Sequence, residues 1–463
     1  MIEFGDPPGQ SVGMLILSPT RELTTQIAEQ AKLLLTFHDP GRMSVHDMYG
    51  GTKLSRDMSY LNHHNNRLPA ILVATPGRLL DHLQHTKLKG GKRFADVMNK
   101  VRILVLDESD RLLDSAFREE VRKVISYLPK RRQTLMFSAT LPTSVKNSVN
   151  EIMKPDYVTV DCVSFSDGKS NKNKNVGHDK LMETNLRVSQ SHVVLSSSEQ
   201  YFSSVIRVVQ FAMDQEDNYK IITFFPTARI TGFFADVFNE ILKNNIPIFE
   251  LHSRKRQGFR SKTSEEFCQA RKGILVTSDV SARGVDYPDV THVIQFGVPD
   301  SRDTYIHRLG RTGRAGKDGR GWLVLSPFES KFVKELRGLH VPLNTELNML
   351  LSNSDFPMDT EKRMAEIVAA VSSGDKKFSL GASLAYQSFL GYYHEQMKRL
   401  NIKSSKELVM LANTFAKQVG LSEKNMPEID SRLAARLSLC QTDGVRIKED
   451  RDSGGDPLIS EFL

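Results

Sequence analysis

Short apolar runs alternate with amphipathic segments over the first 160 residues of the chain. The apolar runs have strand length, and segments such as Thr24–Leu35 and Glu119–Leu128 repeat their apolar positions with helical spacing. This alternation predicts a parallel sheet covered by helices, with ligands at the carboxyl ends of the strands. The predicted strands are Met14–Leu17, Ser44–Met48, Ile71–Ala74, Ile103–Leu106 and Thr134–Phe137.

A second series of the same kind follows a polar stretch of low complexity at residues 164–190. That composition is typical of a flexible linker. Two similar α/β units joined in this way predict a cleft that opens and closes. The predicted strands of the second series are Ile221–Phe225, Pro247–Leu251, Ile274–Thr277, His292–Phe296 and Trp322–Leu325.

The pattern becomes helical after about residue 340. Ser404 and Glu407 have the spacing of a capping box, and an apolar helical face follows them. The aromatic residues between 386 and 393 are predicted to be core rather than an exposed platform for stacking a ligand. We therefore expect domains at 1–163 and 191–340, a linker at 164–190, a helical extension at 341–440 and a disordered tail at 441–463.

Composition narrows the class of partner and the redox environment. The 463 residues carry a net charge of +8 and an isoelectric point near 9.2, which favours a polyanionic partner. The three cysteines lie far apart, so neither a zinc site nor a disulfide framework is expected. No apolar run is long enough to span a bilayer. An intracellular compartment is expected, with the mitochondrion and the nucleus or nucleolus both left open.

A cluster of basic residues lies in the segment His307-Arg308-Leu309-Gly310-Arg311-Thr312-Gly313-Arg314-Ala315-Gly316. If the segment is a helical turn, His307, Arg311 and Arg314 project from one side. Guanidinium groups match phosphate oxygens in pairs, and the glycines allow a ligand to approach closely. The alternative is an ordinary solvated basic face.

Two adjacent carboxylates follow the predicted strand Ile103–Leu106. Asp107-Glu108-Ser109-Asp110 would then lie at the carboxyl edge of a sheet, where Asp107 can hold a hydrated Mg²⁺ and Glu108 can orient and deprotonate water. The alternative is a group of acidic residues that caps the following helix.

Further short motifs occur in a fixed order from about residue 13 to 330. With the two clusters above, this ordered set resembles the DEAD-box ATP-dependent RNA helicases of superfamily 2. The resemblance implies two tandem RecA-like parallel-sheet domains followed by a helical C-terminal extension. The motifs are Ser18-Pro19-Thr20-Arg21-Glu22-Leu23, Gly50-Gly51, Thr75-Pro76-Gly77-Arg78, Ser138-Ala139-Thr140, Phe224 to Thr227, His252 through Gln257 to Arg260, and Ser278 through Asp286.

The resemblance also implies roles for these residues in binding ATP and Mg²⁺. Asp107, Glu108, His307, Arg311 and Arg314 would form the catalytic set, with Asp107 as the metal ligand. Arg283, Gly284 and Asp286 would bind the nucleotide, and Ser138, Ala139 and Thr140 would couple the nucleotide state to RNA binding. Because the carboxylates and the arginines belong to different α/β units, hydrolysis would require the units to meet.

RNA is the expected partner, bound mainly through its sugar-phosphate backbone with little sequence preference. Helix N-termini and glycine-rich turns present backbone N–H groups to phosphates. The C-terminal segment around Tyr386–Tyr393 resembles the extension of the mitochondrial, splicing-associated branch of the family. The RNA-binding residues implied are Pro19, Thr20, Arg21, Gly50, Gly51, Thr75, Pro76, Gly77, Arg78, Arg260 and Ser278.

The chain departs from the family pattern in one major respect and several minor ones. The spacing G-x-x-x-x-G-K-[ST] of a P-loop does not occur, and only 17 residues precede Ser18-Pro19-Thr20. The sequence is therefore expected to be N-terminally truncated and, as written, to bind ATP poorly and hydrolyse little. Ser109 stands where the family has alanine, Ser278 where it has threonine, and Ser253 where glycine is common.

Three hypotheses follow from these observations. The first is an RNA-dependent ATPase and helicase. The second is a non-catalytic RNA-binding protein, if the missing P-loop is genuine. The third is a DNA-directed helicase of a neighbouring branch, which the form of the segment from His307 to Arg314 argues against.

Overall fold

A computed structural model describes most of the chain, in ten stretches. Its residues form two compact units. Unit 1 consists of the described residues of Met1–Asn185 together with Lys255–Lys262 and Val280–Tyr287, and unit 2 consists of the rest. The described stretches are 10–37, 43–63, 67–114, 117–139, 143–160, 187–242, 246–282, 284–314, 316–352 and 356–448.

Unit 1 is built around a five-stranded parallel sheet with the strand order β2-β3-β1-β4-β5. Its strands match the five predicted strands to within one residue at either end. Its elements are β1 (Met14–Leu17), α1 (Arg21–Leu35), β2 (Val45–Met48), α2 (Leu54–His63), β3 (Ile71–Ala74), α3 (Pro76–His85), α4 (Phe94–Met98), β4 (Ile103–Leu106), α5 (Ser109–Leu112), α6 (Arg118–Ser126), β5 (Gln133–Met136) and α7 (Thr143–Ile152).

Both faces of this sheet are covered, because side chains alternate along each strand. Leu15 and Leu17 of β1 join the larger apolar cluster, which also contains residues of α3, α4 and α6. Ile16, between them, packs in a smaller cluster with Ala28 of α1. Near-continuous apolar strands are typical of a parallel sheet buried on both faces.

Unit 2 contains a six-stranded parallel sheet with the order β6-β11-β10-β7-β9-β8 and a helical C-terminal part. Its elements are β6 (Val188–Val194), α8 (Tyr201–Asp214), β7 (Lys220–Phe224), α9 (Ala228–Ile241), β8 (Ile248–Leu251), α10 (Gln257–Gln269), β9 (Gly273–Thr277), β10 (His292–Phe296), α11 (Arg302–Leu309), β11 (Gly319–Leu325), α12 (Thr345–Ser352), α13 (Met358–Ser373), α14 (Lys376–Leu400), α15 (Ser405–Gln418), β12 (Glu428–Ile429), α16 (Ser431–Arg436) and β13 (Arg446–Ile447). The first six residues of α10, 257–262, belong to unit 1.

The second-series predictions are confirmed as strands, and one strand was missed. Val188–Val194 forms β6, of which the first three residues fall in the predicted linker; residues 164–186 lie outside the described part. The strand is polar in sequence and lies at the edge of the sheet beside β11, with one bridge from His192 to Leu343 on its other side. Of the predicted tail, residues 441–448 are described, and Arg446–Ile447 pairs with β12.

The helical C-terminal part shares one apolar core with the sheet of unit 2. Tyr386, Phe389 and Tyr393 of α14 are buried in the same cluster as Phe225 and Phe234. The prediction that these aromatics are core is therefore confirmed. Ser404 caps α15 by accepting a hydrogen bond from the backbone N–H of Glu407, as predicted, at 3.2 Å. No helix in the described part of the chain is long and apolar enough to cross a membrane.

Candidate nucleotide and RNA site

The segments with predicted RNA-binding residues follow three adjacent strands of unit 1. β1 leads into Ser18-Pro19-Thr20, β2 into Gly50-Gly51 and β3 into Thr75-Pro76-Gly77. Because the sheet is parallel and β2, β3 and β1 are neighbours, these three turns lie side by side at its carboxyl edge. The acidic segment follows β4, the next strand, and Ser138 follows β5.

Two of the three turns end in helix N-termini. Thr20 caps α1, its hydroxyl accepting a hydrogen bond from the N–H of Leu23 at 3.3 Å. Thr75 has extended backbone before α3, and Pro76 occupies the first turn of that helix. Free N–H groups and the positive end of the helix dipole both favour a phosphate at such positions.

Arg21 and the glycine pair are brought together. Gly51 has a positive φ of 83°, and a Cβ at this position would meet the guanidinium group of Arg21. The backbone conformation therefore favours glycine here, and Arg21 lies against it. Arg21 Nη1 also lies 3.4 Å from Oε1 of Gln257.

Arg78 points into unit 1 rather than along its surface. Its Nε donates to Asp57 Oδ2 at 2.8 Å, its Nη2 donates to the carbonyl of Thr52 at 3.3 Å, and its side chain is 11% exposed. Arg260 is similarly engaged, because its Nη2 lies 2.6 Å from Glu22 Oε1. Burial lowers the pKa of Arg260.

The acidic segment turns sharply out of β4. The Asp107 N–H donates to the carbonyl of Leu17, and the Glu108 N–H donates to Asp107 Oδ1 at 3.0 Å. Glu108 has φ 51° and ψ 52°, a left-handed conformation that is uncommon for a residue other than glycine and that clusters at functional sites. Burial raises the pKa of Asp107; the Glu108 N–H opposes this rise and the nearby charge of Asp110 adds to it.

Asp110 links the acidic segment to the end of β5. The hydroxyl of Ser138 donates to Asp110 Oδ1 at 3.0 Å. Ala139 follows Ser138 and is exposed, whereas Thr140 lies outside the described residues. The capping alternative has partial support, since Glu108 occupies the N-cap position of α5 but makes no side-chain cap.

The basic segment of unit 2 is only partly helical, so the helical turn considered in the sequence extends no further than Leu309. His307 lies on α11, but the helix ends at Leu309, and Arg311 and Arg314 follow it in a turn. Their Nε groups donate to the carbonyls of His307 and Gly310 at 3.2 and 2.8 Å. The helix ends because three glycines follow closely, and Gly313 adopts φ 67°.

Arg308 is a residue of this segment that the sequence did not single out. Its side chain is fully buried, lies over the ring of Phe224 at 5.2 Å, and donates from Nε to Asp279 Oδ1 at 2.6 Å. Burial alone would lower the pKa of Arg308, but Asp279 outweighs it and the pKa is raised. Ser278, the predicted RNA-binding residue beside Asp279, is also buried.

The predicted nucleotide-binding residues are described in part. Gly284 has φ 69°, and a Cβ there would lie 2.6 Å from the side chain of Leu23. The N–H of Asp286 donates to Oε1 of Gln26 at 3.1 Å. Arg283 lies outside the described residues. These segments and α1 all belong to unit 1.

The fold and these motifs define a class of nucleic-acid-dependent ATPase. A model of the DEAD/DEAH box helicases matches residues 3–148, and a model of the helicase conserved C-terminal domain matches residues 201–316. The chain is also 38% identical over 437 residues to DEAD-box ATP-dependent RNA helicase 31 of Oryza sativa subsp. japonica, covering 94% of this chain and 72% of the relative. It belongs to the DEAD-box helicase family.

Other relatives give the same result. DEAD-box ATP-dependent RNA helicase 31 of Arabidopsis thaliana is 37% identical over 437 residues, covering 94% of this chain and 54% of that relative. A solved structure of Mss116p bound to ssRNA and AMP-PNP is similar over 95% of this chain and 82% of its own, with 27% identity and a TM-score of 0.74. The tandem RecA-like fold is thereby confirmed, and the proposed mitochondrial branch stays a prediction.

Proposed function

We propose that this chain binds RNA through the sugar-phosphate backbone and couples ATP binding and hydrolysis to local separation of short duplexes. One observation carries the proposal: the order of strands in unit 1. The three turns proposed to bind phosphate follow β2, β3 and β1, which are neighbours in the sheet. The carboxylates follow β4, the next strand. An RNA-binding strip and a hydrolytic site can therefore share one sheet edge.

Each group has a chemical role in the proposal. Glu108 orients the attacking water and accepts its proton, while Arg311 and Arg314 stabilise charge on the transferred phosphoryl group. His307 assists the arginines. Ser138 with Ala139 and Thr140 couples the nucleotide to RNA, and Arg283, Gly284 and Asp286 contact the nucleotide.

The residues present fit a magnesium ion that keeps most of its waters. Asp107 is the proposed ligand, and the negative charge of the neighbouring Asp110 carboxylate acts on it. Mg²⁺ commonly binds one or two protein carboxylates, waters and substrate phosphates. When bound, the ion neutralises charge on the phosphate oxygens. The described residues hold no group of three or more side chains that could cage a metal by themselves.

RNA contacts are proposed at the edge of unit 1 and at Arg260 and Ser278. Thr20, Arg21, Gly50, Gly51 and Thr75 with Pro76 and Gly77 present hydroxyl, guanidinium and backbone N–H groups. Such contacts bind phosphates and carry little sequence information. Discrimination of RNA from DNA requires contacts to the 2′-hydroxyl.

The proposal predicts phosphate release from ATP that RNA stimulates and DNA of the same sequence does not. Glu108→Gln should lower the RNA-stimulated rate at least about 100-fold, because the general base is lost while the shape is kept. Glu119→Gln on α6 is the matched control, because Glu119 is exposed and pairs with Arg122 at the surface. Equal rates for Glu108→Gln and the unaltered chain would remove Glu108 from the catalytic role.

The second candidate is a non-catalytic RNA-binding protein. It applies if the protein lacks the loop G-x-x-x-x-G-K-[ST], which binds the β- and γ-phosphates in many ATPases and is not contained in these 463 residues. Tight RNA binding without any RNA-stimulated phosphate release would select this candidate. Stimulation by DNA equal to that by RNA would instead select a DNA-directed enzyme.

A further inference from the structure

A buried carboxylate lies beneath the proposed RNA-binding turns of unit 1. Asp57 of α2 is fully buried and belongs to none of the motifs above. Its Oδ2 accepts hydrogen bonds from Nε of Arg78 at 2.8 Å and interacts with Nε2 of His82 at 3.2 Å. Its Oδ1 lies 3.5 Å from Nε2 of His46.

These partners come from different elements around the two phosphate-binding turns. His46 is on β2, which leads into Gly50-Gly51, and it stacks on the ring of Tyr60 of α2 at 3.9 Å. Arg78 and His82 are on α3, which begins directly after Thr75. Asp57, which lies on α2, therefore interacts with side chains of both β2 and α3.

Arg78 adds a direct link between the turns. Besides binding Asp57, it donates from Nη2 to the carbonyl of Thr52, the residue after Gly51. His82 is fixed from its other side, because its Nδ1 lies 2.8 Å from the hydroxyl of Thr86 at the end of α3. The N-terminus of α3 and the glycine turn are thus held together by charged hydrogen bonds, which are shorter and stronger than neutral ones.

The charge of Asp57 is stabilised in this environment. Burial alone would raise the pKa of this carboxyl, but the interactions with His46, His82 and Arg78 outweigh burial and hold the pKa well below its usual range. The guanidinium group of Arg78 is consequently held in an ion pair, and moving it to an RNA phosphate would leave a buried carboxylate without its main partner.

We propose that Asp57 is a positioning residue for RNA binding, and that Arg78 acts through Asp57 rather than as a phosphate ligand. Together they fix the distance between the Gly50-Gly51 turn and the N-terminus of α3, so that the two sets of backbone N–H groups match successive phosphates of one strand. This inference rests on the proposed RNA binding and assigns part of its geometry.

The direction in which Asp57→Asn changes the affinity for RNA distinguishes a positioning role from a purely electrostatic effect. Removing a negative charge near a polyanion should tighten binding, because it reduces the Coulomb repulsion between them. It should also tighten binding if it freed Arg78 to contact phosphate. A positioning role predicts the opposite, because Asp57→Asn lets α3 shift relative to the glycine turn.

The test measures the dissociation constant of the full chain for a fluorescein-labelled single-stranded oligouridylate by anisotropy. Asp57→Asn should weaken binding about tenfold or more, the scale of one charged hydrogen bond. Asp81→Asn is the matched control: Asp81 lies on α3, is exposed, and pairs only with His85 at 2.9 Å. Equal or tighter binding by Asp57→Asn would overturn the inference.

Arg78 variants give a second test that holds even if Asp57→Asn fails to fold. Loss of a phosphate ligand lowers the slope of log affinity against log salt by about 0.7 on single strands. We expect Arg78→Gln to weaken binding with the slope unchanged, and Arg78→Lys to be nearly as weak because lysine lacks the fork that spans Asp57 and Thr52. A slope reduced by about 0.7 in Arg78→Gln, with rescue by Arg78→Lys, would make Arg78 a phosphate ligand.

Failure of the inference can be distinguished from failure of the proposed function. If the unaltered chain does not bind the oligouridylate, the proposed function falls and the inference falls with it. If the unaltered chain binds and Asp57→Asn binds equally well, only the inference falls.

Discussion

Ser109 shows how a single hydroxyl can be tested in the acidic segment. Its side chain is fully buried, and its Oγ has no hydrogen-bond partner among the residues that the structure describes. Ser18, at the end of β1, is equally buried, but its Oγ lies 2.7 Å from the hydroxyl of Thr24. The two serines therefore differ in hydrogen bonding rather than in burial, and alanine at either position isolates that difference.

We expect Ser109→Ala to raise the free energy of unfolding of unit 1 by about 1 kcal/mol, since an unsatisfied buried hydroxyl is removed. Ser18→Ala should lower it by about the same amount, because a satisfied hydrogen bond is lost. Native-state hydrogen exchange of the amides in β4 and β1 measures both changes. The same sign for both variants would contradict the explanation.

His292 should give unit 2 a dependence on pH. Burial, with a smaller effect from the charge of Arg320, lowers the pKa of His292 from 6.5 to about 4. The unfolded chain therefore binds a proton between these values that the folded chain does not, so stability is full above pH 6.5 and is lost as the pH falls toward 4. From pH 7 to pH 5 the loss from this residue is about 2 kcal/mol.

The measurement uses Trp322, the single tryptophan of the chain, whose ring centroid lies 5.0 Å from that of His292. Denaturant unfolding followed by Trp322 fluorescence at pH 7 and pH 5 should show the loss, and His292→Phe should remove it. His340→Gln, at an exposed histidine of the same unit, is the control. An unchanged pH dependence in His292→Phe would show that other groups cause it.

At the scale of elements, α14 holds the segment that connects β10 with α11. The hydroxyl of Tyr392 donates to the carbonyl of Val298 at 2.6 Å, and Nη1 of Arg399 donates to the carbonyls of Pro299 and Asp300, each at 2.8 Å. α11 carries His307 and leads to Arg311 and Arg314. The helical extension therefore supports the basic segment within unit 2.

A buried carboxylate completes this support. Glu329 Oε1 accepts from the hydroxyl of Tyr393 at 2.5 Å and from the N–H of Val298 at 2.9 Å, while its Oε2 accepts from the N–H of Ser326 at 2.8 Å. Burial raises the pKa of Glu329, and these hydrogen bonds oppose the rise. Each of these hydrogen-bond donors therefore stabilises the charged form of the buried Glu329.

We expect Tyr393→Phe to lower the free energy of unfolding of unit 2 by about 2 kcal/mol, the scale of a hydrogen bond to a charged group. Tyr386→Phe is the matched control on the same helix, because the Tyr386 hydroxyl donates to a neutral amide oxygen of Asn413 at 2.9 Å. Tyr386→Phe should lower the free energy of unfolding by about 1 kcal/mol. Trp322 fluorescence during unfolding measures both, and an equal or smaller effect at Tyr393 would contradict the role of Glu329.

At the scale of the whole molecule, the sequence alone determined the number and type of α/β units, the strands to within a few residues, and the motifs. It could do so because buried parallel strands are short apolar runs, and because phosphate-binding turns need glycine, proline and hydroxyl residues at fixed positions. It missed β6 because that edge strand is polar in sequence, and it left open whether Arg311 and Arg314 are helical.

Only the tertiary structure decided which turns are neighbours and which charged groups are buried. Asp57 and Arg78 are 21 residues apart, and Glu329 and Tyr393 are 64 apart, so no local pattern could pair them. Strand order depends on how helices pack against both faces of a sheet, which the hydrophobic pattern of one strand does not specify. The sequence therefore identified the chemical groups, and the packing of the chain determined which of them act together.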